Sequence, residues 1–84
     1  MNILDLTYER NQNDVTVIVT TDPWRYYYFH VPLYISNLCM KAYHKGAGNR
    51  VWHHLKPYDY GKRNMVTGKE ETSWDPTKTP ESEE

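Results

Sequence analysis

One segment limits the fold more than any other. Val15-Thr16-Val17-Ile18-Val19-Thr20-Thr21 is almost wholly β-branched. Branching at Cβ stiffens χ1 and suits a pleated strand. Alternation with period two puts Val15, Val17 and Val19 on one face. Turn chemistry bounds the run on both sides. Asn11-Gln12-Asn13-Asp14 precedes it and Asp22-Pro23 follows it. Asn and Asp tolerate left-handed backbone and bond to their own main chain, while Pro presets a turn. Two neighbours are therefore expected. Ile3, Leu4 and Leu6 open a segment ending near Arg10, and Trp24 to Val31 forms a second clear strand. In that strand Trp24, Tyr26, Tyr28 and His30 are expected on one face, and Arg25, Tyr27, Phe29 and Val31 on the other.

The period then changes. Pro32 suits a helix start, because its missing N–H costs nothing there. In Leu33 to His44 the spacing of Ile35, Leu38, Cys39 and Ala42 makes one apolar stripe of a helix. Gly46 and Gly48 stop it. Asn49 reads as the N-cap of a second helix through about Lys56, burying Val51, Trp52 and Leu55, and Pro57 ends it. From residue 66 the chain is polar, acidic and Pro-bearing. Such a segment cannot bury enough apolar area to offset its ordering entropy. The expected architecture is α+β: a small antiparallel three-stranded meander followed by two helices in residues 1–65, with a disordered acidic tail over residues 66–84.

Composition narrows the class. Only 38% of the 84 residues are hydrophobic, yet 14% are aromatic, with 8 Tyr, 3 Trp and 1 Phe. Tyr and Trp bury a ring and keep a polar end wet, so they serve small cores and binding surfaces alike. The one cysteine, Cys39, excludes an intramolecular disulfide. With no charged-then-apolar leader at Met1–Asp5 and no membrane-length apolar run, a cytoplasmic, reducing compartment is expected and a membrane partner is not.

The net charge of -1 hides a polarity along the chain. In residues 1–22 Arg10 stands against Asp5, Glu9, Asp14 and Asp22, a net -3. In residues 23–63 Arg25, Lys41, Lys45, Arg50, Lys56, Lys62 and Arg63 stand against Asp59, a net +6. In residues 68–84 Lys69 and Lys78 stand against Glu70, Glu71, Asp75, Glu81, Glu83 and Glu84, a net -4. The basic centre also holds all four histidines. Such asymmetry speaks to partners rather than to fold.

Tyr26-x-Tyr28-x-x-Val31-Pro32, a helix holding Ala42, Lys45-Gly46, and a second helix ending near Tyr58 together resemble the KTSC domain. That short bacterial module is named for its place at the C-terminus of some lysyl-tRNA synthetases and also stands alone. The resemblance covers about residues 6–60. His44 stands where the family tends to have Ser, and Ala47-Gly48-Asn49 where aromatic residues and then Asn often follow the glycine. RNA binding has been proposed for the family, so the resemblance implies an RNA partner.

The residues carry the same expectation. Arg25, Tyr27, Lys41, Tyr43, Lys45, Arg50, Lys56, Lys62 and Arg63 interleave cations with rings. Lys and Arg attract phosphates through counterion release. Exposed rings stack unpaired bases for about 1–3 kcal/mol each. The expected function is a non-catalytic RNA-binding module, with the cations on phosphates, Tyr27 and Tyr43 stacking, and Tyr58 and Tyr60 as lesser stacking residues. Tyr26, Tyr28 and Trp52 are assigned to the core.

His53-His54 are adjacent and point apart on a helix, and no Cys or His pair has zinc-site spacing. No nucleophile motif, phosphate loop or carboxylate pair suggests catalysis, and no cofactor is expected. The alternative is a small protein-interaction module or inhibitor. That reading fits a phage-type accessory protein that neutralises a host factor such as a ribonuclease toxin. An edge strand and a small core also suit a homodimer. Trp74, in Ser73-Trp74-Asp75-Pro76, is expected to dock on a partner or on its own domain.

Overall fold

The computed structural model describes residues 3–72. Within them the chain runs β1 (Asp5–Arg10), β2 (Val15–Thr20), β3 (Trp24–Val31), α1 (Leu33–His44), α2 (Gly48–Leu55), β4 (Tyr60–Asn64) and β5 (Glu70–Thr72). The five strands lie in one antiparallel sheet in chain order. The helices are inserted between β3 and β4 and cover one face. The fold is α+β, with an antiparallel sheet and two helices. No helix among the described residues is long and apolar enough to cross a membrane.

β2 behaves as its branching requires. Val15, Val17 and Val19 are buried against the helices, while Thr16, Ile18 and Thr20 are half-exposed on the other face. The turn before it closes through Asn11, whose N–H donates to the Asp14 carbonyl at 2.8 Å and whose side-chain amide donates to the Asp14 carboxylate at 2.9 Å. The turn after it holds a cis Asp22-Pro23 bond, and the Thr21 N–H and hydroxyl both donate to the Trp24 carbonyl. The core closes with Leu6, Tyr26, Tyr28, Val31, Cys39, Ala42, Val51 and Leu55.

Four expectations need correction. The first is the strand count, which is five and not three. β4 reads Tyr60-Gly61-Lys62-Arg63-Asn64, with too little apolar alternation to signal a strand. Its stability comes from across the sheet. Tyr60 packs on Tyr28 with centroids 5.2 Å apart, and the Lys62 ammonium lies 4.3 Å from the Trp24 ring centroid.

The second is the tail boundary. Residues 70–72 join the sheet as β5 and residues 66–69 form the turn before it, because the acidic pair that suggested a tail supplies cross-strand partners. Glu70 pairs with Arg63 and Glu71 with Lys62 at 3.9 Å. The hairpin between them forms because the Asn64 side-chain carbonyl accepts the N–H groups of Val66 and Thr67, and Gly68 takes φ 78. The expectations for Trp74 and the rest of residues 73–84 lie outside the described residues.

The third is the end of β3. Val17 pairs with Tyr28 but Val15 pairs with Val31, so β3 carries an extra residue there. A β-bulge of this kind resets the alternation. His30 takes φ 57 and turns out to solvent, where its Nδ1 lies 2.8 Å from the Asp14 carboxylate, while Val31 joins the core. The fourth concerns the helices. α1 buries Ser36, Cys39 and Ala42, with Leu38 left 41% exposed. Asn49 lies inside α2, whose N-cap is Ala47.

Candidate nucleic-acid interface

The site begins with one left-handed residue. Lys45 caps α1, and Gly46 follows at φ 77. The Ala47 N–H donates to the Ala42 carbonyl at 2.9 Å and the Gly46 N–H to the Tyr43 carbonyl at 3.0 Å. This double bond pattern is the Schellman motif, and it needs a residue that tolerates αL at the Gly46 position. The Lys-Gly pair therefore has a backbone reason. It turns the chain so sharply that α2 starts at Gly48, and the two helices pack as a hairpin.

That corner gathers cations. A groove of about 440 Å³ is lined by Leu38, Lys41, Ala42, Lys45, Ala47, Arg50 and His54. Leu38, Lys41 and Lys45 follow helical spacing on α1; Arg50 and His54 lie one turn apart on α2. From residue 33 to residue 58 the sequence has no Asp or Glu. Lys41, Lys45, Arg50 and Lys56 make no ion pair among the described residues. The first turn of α2 has no acidic residue and no side-chain cap. The positive end of its backbone dipole therefore adds to the same field.

Tyr34 extends the stripe. Residues 34, 38, 41 and 45 share one side of α1, and the Tyr34 ring is 66% exposed. Sequence reasoning missed this residue, although its i, i+4, i+7 relation to Leu38 and Lys41 could have found it. Leu38 was assigned to the core and instead forms the apolar part of the groove. The stripe from Tyr34 to Lys45 spans roughly 16 Å at 1.5 Å per residue.

Lys56 and Tyr43 flank this groove. Lys56 borders a neighbouring recess with Tyr28, Asn49, Trp52, His53 and Tyr60. Tyr43 is half-buried, donates its hydroxyl to the Leu4 carbonyl at 3.3 Å, and lines a hollow shared with Asn49 and Arg50. Beneath lies an aromatic cluster. Trp52 meets Tyr26 edge-on at 5.2 Å and 79°, and its buried Nε1 has no conventional acceptor among the described residues. Edge-to-face rings are the arrangement in which an indole edge meets a π-face. Burial pushes the phenols of Tyr26, Tyr28 and Tyr58 above their ordinary values, so they stay neutral. Tyr58 and Tyr60 are half-buried rather than open platforms.

The remaining sequence candidates lie elsewhere. Arg25, Tyr27 and Arg63 occupy the sheet face away from the helices, where Arg25 opposes Arg63 and Tyr27 opposes Gly61. The Arg25 guanidinium contacts the Thr20 hydroxyl at 3.4 Å, and Arg63 is paired with Glu70. Lys62 opposes Tyr26 on the helix-covered face of the sheet, where it is held between Trp24 and Glu71. The sheet thus divides the nine candidates: Arg25, Tyr27 and Arg63 lie on one side, and the helical side keeps Lys41, Tyr43, Lys45, Arg50 and Lys56, with Lys62 already engaged by Trp24 and Glu71. Among the described residues no three His, Cys, Asp or Glu side chains gather so as to hold a metal ion. No family model matches this chain, and no curated protein or solved structure matches it.

Proposed function

We propose that the chain is a non-catalytic module that binds single-stranded RNA along the groove between α1 and α2. The carrying observation is that Lys41, Lys45 and Arg50 line one groove on a helical layer that contains no carboxylate. Cations at that spacing, with no ion pair among the described residues, suit successive phosphates. Tyr34 offers a ring at one end of the stripe, and Leu38 offers apolar surface to a base beside it. Unpaired bases can be splayed onto such a ring, which favours a single strand over a duplex. The resemblance to the KTSC domain supports RNA as the polyanion.

The test is fluorescence anisotropy with a labelled single-stranded RNA across a salt series. Three phosphate contacts give a slope of log affinity against log salt of about -2, since each contributes about -0.7 on a single strand. Lys45→Glu or Arg50→Glu weakens binding tenfold or more, by about 1.4 kcal/mol. Arg63→Glu, on the other face, leaves it unchanged. Affinity that ignores salt, or an equal loss from Arg63→Glu, overturns the proposal. So does co-purification of a nuclease-resistant protein partner without any RNA affinity.

A further inference from the structure

Four residues of α2 recur at i, i+3, i+4 and i+7: Asn49, Trp52, His53 and Lys56. That spacing puts them on one side of the helix. Arg50 and His54 line the α1–α2 groove instead, and Val51 and Leu55 are buried. Facing the first set, the sheet presents Tyr28 and Tyr60 with ring centroids 5.2 Å apart, and the Trp52 ring lies 6.4 Å from Tyr28. These six residues wall a recess of about 390 Å³. Small-molecule sites run from about 300 to 1,000 Å³, so the recess suits one planar ring system rather than a folded segment. Trp52 and Tyr60 are half-buried, while Asn49, His53 and Lys56 are exposed at the rim. Among the described residues Lys56 makes no ion pair and the Asn49 side-chain amide no hydrogen bond.

We propose that this recess takes one unpaired adenine of the bound RNA and so gives the module a sequence preference, an inference that rests on the RNA reading of the α1–α2 groove. Continuity of the surface carries it. Arg50 lines both that groove and the hollow beside Tyr43, and Asn49 lines both that hollow and the aromatic recess. A strand whose phosphates follow Lys45 and Arg50 therefore has an unbroken path around α2 to the rings. Proteins read single-stranded RNA by holding splayed bases against aromatic side chains and bonding to their edges. Here Tyr28, Trp52 and Tyr60 supply the ring contacts, and Lys56 stands at the rim for the adjoining phosphate. Asn49 sets the choice of base. Its amide presents an acceptor and a donor side by side, which match the N6 amino group and N7 of adenine. Guanine shows two acceptors along that edge and leaves the amide carbonyl without a donor.

Fluorescence anisotropy on the full chain tests it with two labelled strands, one of uridines only and one carrying a single central adenosine. The adenosine strand should bind about tenfold tighter at equal salt. Asn49→Ala, at an exposed position, should erase that difference and leave the salt slope in place. Lys45→Glu should weaken both strands and keep their ratio. Nuclear Overhauser cross-peaks from the adenine protons to the Trp52 and Tyr60 rings are expected in the complex of the unsubstituted chain. Two strands that bind equally, with the salt slope intact, overturn the adenine recess and spare the groove. A preference for adenosine that survives Asn49→Ala overturns it as well, as do adenine cross-peaks to Tyr34 in place of Trp52. Absence of any RNA affinity overturns both readings.

Discussion

Cys39 and Gly46 show how single residues carry consequences for the whole chain. Cys39 has no exposed surface, and burial pushes its thiol up to about 11. At pH 8 little thiolate forms and no reagent reaches it. A disulfide reagent such as DTNB should therefore react with Cys39 only after denaturation; fast stoichiometric reaction with the native protein would contradict the burial. The same shift sets a pH dependence. The folded value lies above the ordinary 9.0, so the stability it contributes is complete below about pH 9 and is lost as pH rises towards 11. Tyr28, also raised by burial, acts in the same direction above pH 10. The urea midpoint should fall between pH 8.5 and pH 11, within the general rule that buried neutral groups resist ionisation. Gly46 works through backbone alone. A Cβ built there meets nothing within 4 Å, so Gly46→Ala has no clash to explain its cost. Placing an L-residue in the left-handed region should cost about 1–2 kcal/mol, read as a lower urea midpoint.

At the scale of elements, the two leucines of the helical hairpin separate packing from surface. Leu55 has no exposed area, whereas Leu38 borders the groove at 41% exposure. Leu55→Ala should cost about 2–5 kcal/mol of stability. Leu38→Ala should stay within about 0.5 kcal/mol, and denaturant titration compares the two directly. Periodicity found α1 but not its rotation. It made no use of Ser36, which is fully buried because its hydroxyl donates to the Leu33 carbonyl at 2.6 Å. A satisfied hydroxyl can replace an apolar group on the core side, and that frees Leu38 to face the groove. β3 gave a similar result. Its existence was plain, but the bulge at His30 exchanged the faces of the last two residues.

For the whole molecule, the sheet acts as a partition between two groups of cations. Lys41, Lys45, Arg50 and Lys56 occupy a helical layer without carboxylates, while Arg63 on the opposite face is paired with Glu70; Lys62 shares the helix-covered face but is opposed by Glu71. Exposed pairs of that kind are worth little in stability, about 0–1 kcal/mol, but they cancel charge locally. A charge reversal on the helical layer therefore removes uncompensated potential, and one at Arg63 chiefly removes a pair. The contrast between Lys45→Glu and Arg63→Glu in RNA affinity measures this partition, and equal effects would deny it.

What the sequence determined by itself was local. Branched residues, rings in alternation, helical spacing and turn chemistry gave β2, β3, α1, α2 and their junctions, and the residue counts gave a basic centre between acidic ends. Tertiary structure alone decided that β4 and β5 are strands, that residues 70–72 join the sheet, and which cations share a surface. The physical reason is distance along the chain. Tyr60 and Lys62 owe their strand conformation to Tyr28 and Trp24 more than 30 residues earlier. No pattern within a five-residue stretch of Tyr, Gly, Lys, Arg and Asn can announce partners that lie across a folded sheet.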